Sequence, residues 1–229
     1  MEDTVRNDTI GGHRAYADFW AGASDKDTIV EYFSASWSVP SAPVAPHDEI
    51  EMSIWAGLSA YSSDTQIQVL LRWIPRTGWF ILTRYSTEPG KYKEIGGYFV
   101  HSGDIIEASF KLNQIDSVNT YDILLKLQSS PFGPQNDTPF IKLQVDMPCP
   151  LNRAFLSVDQ DSDSYLNLPP DDHLSIYTSF TIAIPSWSIM PTYEVYWTFY
   201  PIGAIVPSGK MGWVANHGVD LGEVVFGFK

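Results

Sequence analysis

The stretch from Asp48 to Trp73, DEIEMSIWAGLSAYSSDTQIQVLLRW, carries an indole and a carboxamide on what read as two strands. In the second strand Gln66, Gln68, Leu70 and Arg72 alternate with Ile67, Val69, Leu71 and Trp73, and a period of two sends these sets to opposite faces. One face packs, and the other presents Gln68, a side chain that both donates and accepts hydrogen bonds. Alternation in the first strand places Trp55 with Ser53 and Gly57, away from Ile54, Ala56 and Leu58.

These side chains need a scaffold, and the composition bounds it. The chain has 229 residues, 44% of them hydrophobic and 14% aromatic, enough to bury a core. No run of about 18 apolar residues could span a bilayer. Fourteen Lys and Arg against 27 Asp and Glu give a net charge of -13, which repels phosphate backbones and argues against nucleic-acid binding. Cys149 is the single cysteine, so no internal disulfide forms. The N-terminal MEDTVRNDTIGG lacks the basic start and apolar run of a secretory signal, and the expected location is cytoplasmic. The sequons at Asn7 and Asn136 would matter only in a secreted chain.

Along the chain, residues 1–12 read as a disordered polar tail and 13–229 as a single domain. Twelve short β-branched and aromatic segments, from 28–37 to 222–228, alternate with Gly, Pro, Ser and Asp clusters such as Pro75 to Gly78 and His101 to Asp104. With no helical periodicity, this predicts an all-β antiparallel sandwich. The run YEVYWTFYP reads as one amphipathic strand with Val195, Trp197 and Phe199 on its core face.

FWAG at 19–22, FSASWSVPS at 33–41, SIWAG at 53–57, the Gln68 strand ending in Trp73, and HSGDIIEASF at 101–110 occur in the order seen in the glutamic peptidases, or eqolisins, which the chain resembles over about half its length. The resemblance implies a concanavalin-like, jelly-roll sandwich of two bent sheets with a substrate groove on the concave face. It also implies a Gln whose amide stabilises an oxyanion, here Gln68, a groove Trp, here Trp55, and an acid that activates water and protonates the leaving amine. That acid falls on Asp159, at the end of LNRAFLSVD. Ala154, Leu156 and Val158 form an apolar face there, leaving Arg153, Phe155, Ser157 and Asp159 on the other.

The chain departs from the family at the acid. Asp159 reaches one methylene less far than a Glu, Phe155 stands where a second groove carboxylate is expected, and WFILTRYST puts Arg84 near the place of a Glu. The expected site therefore has Gln68 as carbonyl or oxyanion donor, Asp159 as proton-transfer group, and Trp55, Trp79, Arg72, Arg84, Phe155 and Ser157 around the substrate. Such a site suits a cofactor-independent cyclase, isomerase or lyase acting on an apolar small molecule. The alternatives are an acid endopeptidase with a Gln68/Asp159 dyad and a non-catalytic ligand-binding sandwich. No metal site is expected. Asp159, Asp161 and Asp163 open like a calcium loop, but Ser164 stands at its sixth position and Pro170 at its twelfth, and the five His are scattered singly. No GxSxG elbow, P-loop or dinucleotide fingerprint is present.

Overall fold

The computed structural model describes residues 13–20, 29–43, 52–60, 65–88, 91–114, 118–130, 139–160, 168–183, 193–195, 197–202, 205–210, 212–215, 218–219 and 222–228. In chain order their strands are β1 (His13–Trp20), β2 (Ile29–Ser38), β3 (Met52–Ser59), β4 (Gln66–Ile74), β5 (Gly78–Glu88), β6 (Lys91–Val100), β7 (Ile105–Gln114), β8 (Asn119–Ser129) and β9 (Pro139–Met147). They continue with β10 (Arg153–Gln160), β11 (His173–Ala183), β12 (Tyr193–Val195), β13 (Thr198–Ile202), β14 (Ile205–Lys210), β15 (Gly212–Ala215), β16 (Gly218–Val219) and β17 (Gly222–Phe228). There is no helix among the described residues.

Two seven-stranded antiparallel sheets face each other as a jelly-roll sandwich, as the strand pattern predicted. The first runs β13-β1-β10-β3-β4-β5-β6 and the second β14-β17-β11-β2-β7-β8-β9. Each strand's buried alternate residues meet in the layer between them. Ala15 and Ala17, Ile54, Ala56 and Leu58, Ile67, Val69 and Leu71, and Ala154, Leu156 and Val158 come from the first sheet. Phe33, Trp37, Phe110, Ile123, Ile176 and Phe226 come from the second. Phe33 stacks on Phe110 with ring centroids 5.9 Å apart and leans on Phe180 at 6.5 Å, joining β2, β7 and β11.

Where β10 enters the first sheet is set by a buried hydroxyl. The Tyr121 hydroxyl on β8 accepts the Leu151 N–H at 2.9 Å, while the Leu151 carbonyl accepts the Val30 N–H at 3.0 Å and Ser59 accepts the Asn152 N–H at 3.1 Å. Burial pushes the Tyr121 phenol far above its usual range, so it stays protonated and can accept this bond at all ordinary pH. Tyr121→Phe leaves the Leu151 N–H buried without its acceptor. Urea unfolding of this variant is expected to show a loss of about 1–2 kcal/mol, and an unchanged midpoint would rule out this anchor.

Two sequence expectations need correction. The run 192–200 is not one strand: β12 pairs with β15, which pairs in turn with β16 in a small third sheet, whereas β13 pairs with β1 in the first sandwich sheet. Trp197, between them, is buried against the core, and Phe199 packs beside it. The strands β1, β14, β15 and β16 also escape the reading of twelve segments. In β1 the core residues are Ala15 and Ala17, too small to raise an alternating hydrophobic signal. The tail 1–12 and the loop residues 161–167 lie outside the described residues.

Candidate functional site

The site lies on the face of the first sheet turned away from the second. Strand alternation decides which residues reach it, and register decides which of them meet. Across neighbouring strands, Asp18 of β1 registers with Phe155 of β10, Phe155 with Gly57 of β3, Gly57 with Gln68 of β4, Gln68 with Arg84 of β5, and Arg84 with Glu94 of β6. One row along the strands, Tyr16 registers with Ser157, Ser157 with Trp55, Trp55 with Leu70, and Leu70 with Leu82. A further row joins Asp159, Ser53, Arg72 and Phe80.

Gln68 is 0% exposed although it points away from the sandwich core, and neither of its amide atoms meets a hydrogen-bond partner. The side chains over it come from strands on both sides. Arg84 and Trp55 are separated by β4, yet the Arg84 guanidinium carbon lies 5.3 Å from the Trp55 ring centroid, so the contact passes over β4. The same carbon lies 3.7 Å from the Tyr92 ring, and Tyr92 leans across β5 far enough for its hydroxyl to accept from Gln66 Nε2 at 2.8 Å. On the other flank the Phe155 ring covers Gly57. A Cβ built on that glycine would come within 2.9 Å of both Phe155 Cζ and the Gln68 Cβ, so only glycine lets the ring lie there.

Beneath this cap, unpartnered polar atoms gather: both amide atoms of Gln68, the Trp55 Nε1 and the Arg84 Nε, all buried. Native proteins satisfy most buried polar groups, so such a cluster points to a bound partner. Its chemistry is lopsided. Gln68 Nε2, Trp55 Nε1 and Arg84 Nε donate, and only Gln68 Oε1 accepts.

The acids lie away from Gln68. Asp159 shares its face but sits two strands over and four residues along, roughly 16 Å from Gln68 between Cα positions by ordinary strand spacings. Register thus does not bring the two together as an adjacent dyad; Phe155 occupies the position on β10 nearest Gln68. Asp159 Oδ1 accepts from Ser157 Oγ at 2.7 Å. Gln68's own row holds two acids, Glu94 two strands away at the exposed edge and Asp18 three strands away on the other side, and the sequence reading missed Asp18. It is buried and ion-paired with Arg153, one carboxylate oxygen held by the guanidinium while Oδ1 has no hydrogen-bond partner. The available signal was its place just before FWAG, alternating with Tyr16.

Burial raises the Asp18 carboxyl above the usual carboxylate range, and the charge and hydrogen bond of Arg153 oppose that shift. Its folded pKa lies above the unfolded one, so the native state binds the proton first as pH falls. Ionised Asp18 therefore costs stability above the folded value, and stability recovers as pH drops through it. Arg153→Met removes the opposing charge. Its expected cost, about 3 kcal/mol near neutral pH from an unpaired buried carboxylate, should shrink toward about pH 4. Urea midpoints at the two pH values check this, and an equal loss at both would count against an ionised Asp18.

Trp79, expected beside the substrate, lies elsewhere. It is 1% exposed in the core between the sheets, its ring centroid 5.4 Å from Trp73 in an edge-on contact. The core face of β5 is Trp79, Ile81, Thr83 and Tyr85, which leaves Phe80, Leu82 and Arg84 on the site face. Arg72 is on the site face and reaches Glu94 at 3.8 Å. No group of three His, Cys, Asp or Glu placed to hold a metal occurs among the described residues.

No protein-family model and no curated protein sequence matches the chain. Among solved structures it is similar to scytalido-glutamic peptidase with a peptide-based transition-state analogue, at 14% identity and TM-score 0.50 over 95% of this chain and 98% of that one. A second structure of that peptidase, with a transition-state analogue inhibitor, gives 12% identity and TM-score 0.50 over the same shares. SCP-B, a member of the eqolisin family in complex with the tripeptide Ala-Ile-His, matches at 14% identity and TM-score 0.46, again over 95% of this chain and 98% of that one. The likeness is one of fold. It matches the architecture that the motif order implied.

Proposed function

We propose that this face is the active site of a cofactor-independent, cytoplasmic enzyme performing acid–base chemistry on an apolar small molecule that carries a carbonyl group. Cyclisation, isomerisation or dehydration all fit. The observation that carries the reading is the buried, unpartnered amide of Gln68 beneath an aromatic and arginine cap, with an aromatic ring rather than a carboxylate beside it. Gln68 Nε2 donates to the substrate carbonyl and stabilises the negative charge that grows on its oxygen when a carbon conjugated with it loses a proton. Phe155, Trp55 and Leu70 supply the apolar wall, and entry requires the partly exposed Trp55 and Arg84 to swing aside.

Asp18 is the group we assign to proton transfer in place of Asp159. Burial favours its protonated form, and its Oδ1 is uncommitted. Asp18 stands three strands from Gln68 in the same row, roughly 14 Å between Cα positions by ordinary strand spacings, so an extended substrate lying over Phe155 and Gly57 would bridge the two. With the carbonyl held at Gln68, the Asp18 carboxylate takes a proton from the far end of an unsaturated system conjugated with that carbonyl, the electron pair shifts toward the carbonyl oxygen, and return of the proton to a different carbon gives the isomer and restores the carboxylate. A panel of extended, conjugated apolar ketones incubated in heavy water tests this by NMR: deuterium should enter at the conjugated end remote from the carbonyl with wild type, and incorporation should fall at least about a hundredfold with Gln68→Met or Asp18→Asn.

The second reading, an acid endopeptidase using Gln68 with Asp159, draws on the fold likeness to the glutamic peptidases. It needs a peptide to span the separation between those residues. Digestion of an unfolded protein from about pH 2 to 8, lost in Gln68→Met, would establish it and displace the small-molecule reading. An absence of cleavage at every pH by the folded chain would remove it.

A further inference from the structure

We propose that Arg84, with Trp55 Nε1 and Gln68, forms a carboxylate subsite, so that the substrate of the proposed reaction is an apolar, preferably aromatic, carboxylic acid. This rests on the small-molecule reading of the Gln68 site and adds the ionic group that the substrate must carry. Four observations support it.

First, the chain is strongly acidic, at a net charge of -13 with only six arginines, yet Arg72, Arg84 and Arg153 all stand on this one face. Second, two of these have carboxylate partners and Arg84 has none among the described residues. Arg153 pairs with Asp18 and Arg72 with Glu94, although Glu94 stands directly across from Arg84 in the sheet. A guanidinium beside a carboxylate of its own sheet, yet not engaged by it, keeps its hydrogen-bonding edge for another anion. Third, its planar group rests against Tyr92 at 3.7 Å and Trp55 at 5.3 Å, contacts through the π face that fix its orientation and leave the N–H edge for a ligand. Fourth, the unpartnered buried atoms around it are three donors and one acceptor, the complement of an acceptor-rich group. A carboxylate accepts from Arg84 and Trp55, and Gln68 Nε2 beneath them is left to a carbonyl or to the second carboxylate oxygen. Because the chain's overall charge repels anions, binding of one at this site is a local effect.

The test uses the full chain labelled with nitrogen-15 and two probes of nearly the same shape, cinnamate and cinnamamide, at neutral pH. The resonances read are Arg84 Nε–H, Trp55 Nε1–H and the Gln68 side-chain amide, assigned with Arg84→Lys, Trp55→Phe and Gln68→Met. Cinnamate is expected to move all three in one saturable titration, with cinnamamide at least tenfold weaker. Arg84→Met should bring cinnamate down to the affinity of cinnamamide. Equal affinities for the two probes, or full cinnamate affinity in Arg84→Met, would overturn the proposal. Should Arg84→Met lose its spectral dispersion, the wild-type Arg84 Nε–H decides, since it must move with cinnamate and not with cinnamamide. Movement of the Gln68 amide with equal affinity for both probes would keep the Gln68 pocket and reject the carboxylate. No movement at Gln68 with either probe would reject both.

Discussion

Replacing Gln68 with methionine is expected to make the isolated protein more stable while abolishing its activity. Methionine keeps nearly the same volume and removes two buried polar atoms that meet no hydrogen-bond partner. The gain should be about 1–3 kcal/mol, the desolvation cost of an unsatisfied amide, or roughly 2–6 °C in Tm for a chain of this size. A residue that raises stability when removed is one retained for what it does to a ligand. Calorimetry of wild type and Gln68→Met side by side reads the effect. If the variant were less stable by a similar amount, the amide would be satisfied in solution and the argument for a site at Gln68 would lose its support.

Gly57→Ala should have the opposite sign and at least the same size. The added Cβ would fall inside van der Waals contact of the Ile67 carbonyl oxygen, a backbone atom of the adjacent strand, and within 2.9 Å of the Gln68 Cβ and Phe155 Cζ. Side chains can rotate away, but a carbonyl in a central strand pair moves only if β3 and β4 separate. Overpacking of this kind costs about 3 kcal/mol, and the displaced Phe155 ring should uncover Gln68 and weaken ligand binding as well. The double variant Gly57→Ala/Phe155→Ala, read against Phe155→Ala alone because losing that buried ring itself costs stability, relieves the ring and leaves the backbone clash. Urea midpoints should therefore show Gly57→Ala costing more than half as much in the Phe155→Ala background as in wild type. A Gly57→Ala protein as stable as wild type would mean that β3 and β4 are not in this register.

The site became legible in stages. Period-two alternation was enough to send Gln68, Leu70 and Arg72 to one face and Val69 and Leu71 to the other, because a pleated strand leaves a side chain no third direction. It also placed Trp55 with Gly57 and Phe155 with Ser157 and Asp159. The placement of Trp79 around the substrate runs against the same rule, since its parity with Ile81 sends it to the core. Alternation missed Asp18, because Ala15 and Ala17 bury little surface and leave β1 without a strong signal.

Alone, the sequence determined the all-β class, the strand boundaries of most of the two large sheets, and the face on which the candidates other than Trp79 lie. These are local properties, set by turn residues and by the alternation of neighbours along one strand. Tertiary structure decided which candidates meet. Phe155 rather than Asp159 lies beside Gly57 and Gln68, Asp18 enters the row with Arg153 as its counter-ion, and Arg84 reaches over β4 to Trp55. The physical reason is that register between strands distant in sequence is fixed by long-range packing and backbone hydrogen bonds, so a shift of four residues, invisible in either strand alone, moves a carboxylate about 13 Å along the sheet.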